Sequence, residues 1–134
     1  MNLDISALEK AFNKLTEGYE RYAKDKSDEQ IRDGLIQRFE FTYELSHKML
    51  KRYMQITSAT PEQFENESFQ FLIRSANEKS LILGDWNDWR QYREMRSKTS
   101  HTYDQKVALQ VVEGIPKFIE EAEGLINNLT ERLK

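Results

Sequence analysis

Arg96, His101 and Tyr103 lie within eight residues of one another, joined by Ser97-Lys98-Thr99-Ser100 and then by Thr102. Arg is a permanent cation whose planar fork of donors matches phosphate oxygens. His exchanges a proton near neutral pH. The pair suits metal-independent cleavage of a phosphate ester such as RNA. His101 would move a proton at a ribose 2′-hydroxyl or a leaving oxygen, and Arg96 would stabilise transition-state charge on the phosphate. Ser97, Lys98 and Ser100 add donors for phosphate contacts, and Arg93 lies just upstream. Spacing alone is weak support, because Arg-x4-His arises by chance and a lone His is more often structural. On one straight helix Arg96 and His101 would point about 140° apart. The small and β-branched residues between them favour a helix end, where a turn could bring the two together. Alternatively, two copies of the chain could bring their motifs face to face across a two-fold axis. One chain offers a single His in this motif while cleavage needs both an acid and a base, so a homodimer is expected.

Rival chemistries are poorly supported. The chain has no Gly-rich phosphate loop and no nucleophile elbow. It has no Cys, and its two His, at 47 and 101, lack metal-ligand spacing, so neither a metal site nor a cofactor is expected. Asp85 and Asp88 read as a helix cap, and Glu120, Glu121 and Glu123 as a solvated face. His47 stands at the margin of an apolar stripe and reads as a packing residue.

The elements that must carry the motif read as helices. Ser6-x-x-Glu9 and Ser27-x-x-Gln30 look like capping boxes that open the first two. Leu8, Phe12, Leu15, Tyr19 and Tyr22 form the first stripe. Ile31, Leu35, Phe39, Tyr43, Leu50 and Tyr53, widened by Leu45 and Met49, form a second face broad enough for two neighbours. Thr60-Pro61 suits a turn of helix. A shorter helix is expected from Glu67 or Ser68 to Glu78, with Gly84 punctuating the turn that follows. Asp85 would cap a helix over about 86–98, on which Trp86, Trp89, Arg93 and Arg96 share one arc, so that Arg93 could stack on Trp89. A final helix from near Asp104 runs through Pro116, which should bend it. No convincing strand pattern appears. The expected fold is an all-α, antiparallel, up-and-down bundle of four to five helices in one domain over 1–134.

Composition agrees. The 134 residues suffice for one core, and seven Phe, six Tyr and two Trp supply its apolar area despite 32% charged residues. A net charge of −3 disfavours coating nucleic acid by bulk attraction and leaves room for a local basic site. No apolar run approaches a membrane span and the start lacks a signal core, so no membrane association and a cytoplasmic location are expected.

The segment Arg96-x4-His101-Thr102-Tyr103-Asp104, with Trp89 and Arg93 before it and Arg38-Phe39-Glu40-Phe41-Thr42-Tyr43-Glu44-Leu45 upstream, resembles the nucleotidyltransferase substrate-binding protein family. That family is part of the HEPN superfamily and close to the HepT toxins. The resemblance spans about Leu8 to Leu129. It implies a dimerising helical subunit paired with a separate minimal nucleotidyltransferase, binding a nucleotide or RNA substrate in a toxin–antitoxin-like module. In the HepT branch it implies a ribonuclease whose Arg and His correspond here to Arg96 and His101. That nuclease is silenced when AMP is added to the phenol corresponding to Tyr103.

Overall fold

The computed structural model describes residues 2–134 and is all-helical. Its elements are α1 (Ser6–Lys24), α2 (Glu29–Thr57), a four-residue α3 (Gln63–Asn66), α4 (Phe69–Glu78), α5 (Trp86–Lys98), a 3-10 turn (Thr99–His101) and α6 (Gln105–Arg132). The long pair α1 and α2 is joined by a tight turn, which forces an antiparallel hairpin. α6 packs on both of them, and α4 and α5 close the remaining side of α2. The breadth of α2's apolar face is therefore used within one chain. It meets α1, α6, α4, α5 and the small α3, rather than two neighbours.

Caps explain where the helices begin, with two corrections. Ser6 is the first residue of α1 rather than its cap, and the Asp4 carboxylate accepts its N–H at 2.9 Å. Asp28, not Ser27, caps α2, accepting from the N–H groups of Gln30 and Ile31. Ser27 instead donates its hydroxyl to Asp25. In both cases an Asp near the predicted Ser does the work, since a charged acceptor at a helix N-terminus also meets the favourable end of the helix dipole. Ser68 caps α4, Asp104 caps α6, and Asp85 with Asp88 forms a complete capping box on α5. α6 runs on past Pro116, which removes one backbone donor without ending the helix.

The core is one continuous cluster in which Leu8, Leu15, Phe39, Leu50, Trp89 and Phe118 are fully buried. Each such side chain contributes about 1.5–3 kcal/mol of transfer free energy. Around Trp89 the packing is aromatic: Tyr92 meets it edge-on at 5.4 Å, and Phe118 meets Phe39 at 5.0 Å and Tyr92 at 5.3 Å. This cluster locks the rotation of α5 and so determines which of its residues face outward. No described helix is long and apolar enough to cross a membrane.

Candidate functional site at the end of helix α5

α5 ends at Lys98, and the chain tightens into the 3-10 turn before Asp104 starts α6. The small hydroxyl residues set this break. Thr99 Oγ1 donates back to the Arg96 carbonyl at 2.7 Å, and the Ser97 hydroxyl to that of Glu94 at 2.7 Å. Such local bonds compete with continued helix.

Arg96 hydrogen-bonds to α2 and Thr99 rather than to His101. Arg96 Nε donates to Glu44 Oε1 at 3.0 Å, Nη2 donates to the same oxygen, and Glu40 stands 3.6 Å from Nη2. Nη1 donates to Thr99 Oγ1 at 3.2 Å. The guanidinium thus bridges α2 and the turn. Hydrogen bonding to Glu44, followed by the charge of Glu40, holds its proton more firmly than in a free Arg. His101 is exposed and lies beside Tyr103, with ring centroids 6.1 Å apart. Tyr103 is 85% exposed. The structure therefore pairs His101 with Tyr103, and Arg96 with Glu40 and Glu44. A cavity of about 370 Å³ beside the 3-10 turn is lined in part by Asp33, Gln37, Glu40, Thr99 and Thr102. Its carboxylates repel phosphate. Of the two carboxylates on Arg96, Glu44 is the more exposed, at 50% against 30%.

The other candidates fall into two groups. Ser97, Lys98 and Ser100 are exposed; Lys98 Nζ reaches Gln110 Oε1 at 3.4 Å. Arg93 is exposed but does not stack on Trp89. Its guanidinium carbon lies 5.2 Å from the Trp86 ring and 5.5 Å from that of Phe69. Trp89 has sunk into the aromatic core, where a charged head cannot follow. His47 is a packing residue, its ring 4.7 Å from Phe69, and burial lowers its proton affinity. Tyr43, buried beneath Arg93 and Arg96, has its phenol pushed up to about 12 by burial.

Reading the residues alone missed Glu40 and Glu44. Their signal was available: carboxylates at i and i+4 of one helix share a face and call for a cation. Glu121 was misread as solvated. It is 3% exposed, and burial raises its pKa above the ordinary carboxylate range while hydrogen bonds from the Leu83 and Gly84 N–H groups oppose the rise. Its place three residues after Phe118 and one before Ala122, on the buried stripe of α6, was the available clue.

Residues 3–131 match the model of the family described as nucleotidyltransferase substrate binding protein like. The chain belongs to this family. Within reach of the same family, it is 39% identical over 99 residues to a protein of Haemophilus influenzae named "Probable ribonuclease HepT"; the alignment takes in 74% of this chain and 67% of that one. Its fold superposes with a TM-score of 0.89 on a solved Haemophilus influenzae structure, described as revealing the fold of a substrate binding domain of a nucleotidyltransferase. The identity is 34%, and the match covers 95% of this chain and 99% of the other.

Proposed function

We propose that this chain, as one bundle domain, is the helical partner of a separate minimal nucleotidyltransferase and presents a nucleotide- or RNA-binding site built on Arg96 and His101. The observation that carries the reading is the turn itself. Arg96 is pre-oriented by Glu44 and Thr99, and His101 and Tyr103 are exposed on the turn that follows. Arg93, Ser97, Lys98 and Ser100 would supply further phosphate contacts. Because one chain offers a single His in this motif while cleavage needs both an acid and a base, the site is completed by a second copy across a two-fold axis. An apolar groove of about 740 Å³ between α1 and α2, lined in part by Phe41, Leu45 and Glu44, supports this, since it leaves apolar surface beside a carboxylate that pairs with Arg96. Co-expression with a minimal nucleotidyltransferase encoded beside it tests the partnership: co-purification at micromolar concentration is expected, and two proteins that elute separately would end this reading.

A second reading is favoured by the relative named as a ribonuclease and by retention of both Arg96 and His101. In it the dimer cleaves RNA without metal, one imidazole taking the 2′-hydroxyl proton and the other delivering a proton to the leaving oxygen, with Arg96 neutralising the phosphorane-like charge. AMP added to Tyr103 would place bulk and a phosphate beside these cations and compete with RNA for them. Expression of the chain alone should then arrest growth, and Arg96→Ala or His101→Ala should relieve the arrest by lowering cleavage about 10²-fold or more. Arrest that persists in both variants, or cleavage lost on chelation, would rule this reading out.

A further inference from the structure

A second cleft lies at the opposite end of α5 from the motif. It has a volume of about 400 Å³ and is lined by Arg74, Asn77 and Glu78 of α4 and by Asp85, Trp86 and Asn87 at the start of α5. That volume is in the range of small-ligand sites. Trp86 is half-buried and held firmly: the Arg93 guanidinium lies 5.2 Å from its ring, and Phe69 meets it at 5.8 Å and 66°. Neither brace lines the cleft, so both hold the ring from outside it. Arg74 and Glu78 are one helical turn apart, a spacing at which opposite charges commonly pair. Neither has an ion-pair partner among the described residues. The cleft therefore combines a fixed indole surface with one uncommitted donor head and one uncommitted acceptor head.

Its position links it to the motif. Trp86, Arg90, Arg93 and Ser97 fall within an arc of about 60° on α5, and the last three are exposed. From Trp86 to Arg96 the helix rises about 15 Å. A basic row thus leads from the indole to the turn, over a distance that a short single strand bridges.

We propose that this cleft is a nucleobase-stacking subsite for single-stranded RNA. Trp86 is the platform, Arg74 and Glu78 meet the edge of a purine, and Arg90 and Arg93 track the backbone toward Arg96. The inference rests on the RNA-binding reading above and adds the residues that hold the strand away from the motif. Stacking on an aromatic ring is tolerant of sequence and strongest for large bases, which is why a purine is the preferred occupant.

Tryptophan fluorescence tests it on the full chain. The protein has two Trp, and Trp89 is fully buried, so quenching by ligand reports on Trp86. Titration with the RNA hexamers GAGAGA and CUCUCU should show quenching, with the purine strand bound about fivefold tighter. Read by fluorescence anisotropy of end-labelled hexamers, since the variant lacks the reporting indole, Trp86→Leu should weaken GAGAGA about tenfold and erase the preference. Arg74→Ala, an exposed change that spares the core, should weaken it about threefold. Arg96→Ala should weaken both strands alike and leave the quenching at saturation intact. RNA that binds without quenching, with unchanged affinity in Trp86→Leu and Arg74→Ala, overturns the subsite and leaves the Arg96 reading standing. Wild-type protein that binds neither hexamer overturns both.

Discussion

The two turns that flank α5 each end on an Asp that caps the next helix and differ in where their other polar groups go. In the turn before it, Ser80 adopts a left-handed conformation (φ 58°), and the N–H groups of Ser80 and Leu81 close α4 onto the carbonyls of Asn77 and Ala76. Both oxygens of buried Glu121 accept backbone N–H groups, from Leu83 at 2.8 Å and Gly84 at 2.7 Å. The Asn77 and Asn128 side chains cap the carbonyls of Gly84 and Leu81, Arg132 reaches that of Lys79, and Lys117 pairs with Asp88 at 2.6 Å. Gly84 is required there for space, because a Cβ would stand 2.5 Å from Glu121 Oε1. In the turn after α5, backbone needs are met by Thr99 and Asp104, and the side chains of Ser100, His101 and Tyr103 are exposed. The first turn uses its chemistry to fold. The second uses Thr99 and Asp104 to fold and leaves its imidazole and phenol exposed.

The sharpest way to break the first turn is Glu121→Ala. It takes from the part-buried Leu83 and Gly84 N–H groups two hydrogen bonds to a charged acceptor, worth about 1.5–3 kcal/mol each, partly offset by no longer burying a carboxylate. A loss of about 2–4 kcal/mol is expected in denaturant unfolding. A loss under 1 kcal/mol would mean that water replaces the carboxylate and that the contrast between the turns is overstated.

The same carboxylate gives a pH signature. Its folded pKa lies above its ordinary 4.5, mainly through burial and with a further push from Asp88. A group raised on folding contributes its full stability below the unfolded value and loses it as pH rises through the folded value. Glu121→Gln removes this titration. The stability gap between wild type and Glu121→Gln should therefore be widest near pH 4 and narrow as pH rises through and above 4.5, read from melts of both proteins across that range. A gap independent of pH would show that Glu121 titrates normally.

What the residues alone reveal follows the same division. Periodicity located α1, α2, α4, α5 and α6, and the Asp85–Asp88 cap was legible because a cap is a local pattern with one physical solution. The Ser6 and Ser27 caps were misplaced because Asp4 and Asp28, one or two residues away, offer charged acceptors. Glu121 was taken for one of three surface acids; only its register against Phe118 and Ala122 betrays burial. Arg96, His101 and Tyr103 were legible as chemistry, but the pairing of Arg96 with Glu44 spans 52 residues and depends on how α5 is rotated by the Trp89 cluster. Tertiary rotation of that kind has no local signature.

At the second turn the effects on stability should be small even where effects on function are large. Arg96 is about one-third exposed and its ion pairs with Glu40 and Glu44 are open to water, so Coulomb attraction there is heavily screened. Arg96→Ala should cost no more than about 1 kcal/mol, most of it from the lost bridge between α2 and Thr99. A cost above about 2 kcal/mol would make this Arg a structural strut like Glu121 and weaken its assignment to a ligand.

Tyr103→Phe is the gentlest probe and isolates the last difference between the turns. The ring is 85% exposed and its nearest aromatic neighbour is His101, 6.1 Å away between centroids. Deleting the hydroxyl removes no buried partner, so the change in stability should stay within about 0.5 kcal/mol. The phenol is, however, the only atom at which a nucleotidyl group could be attached to this side chain. If the partner transfers AMP there, Phe blocks the mass increase while the fold and the Arg96–Glu44 bridge persist. An unmodified wild-type protein after incubation with partner and ATP, or equal modification of Tyr103→Phe, would leave the exposed phenol as surface and move the reactive site elsewhere in the turn.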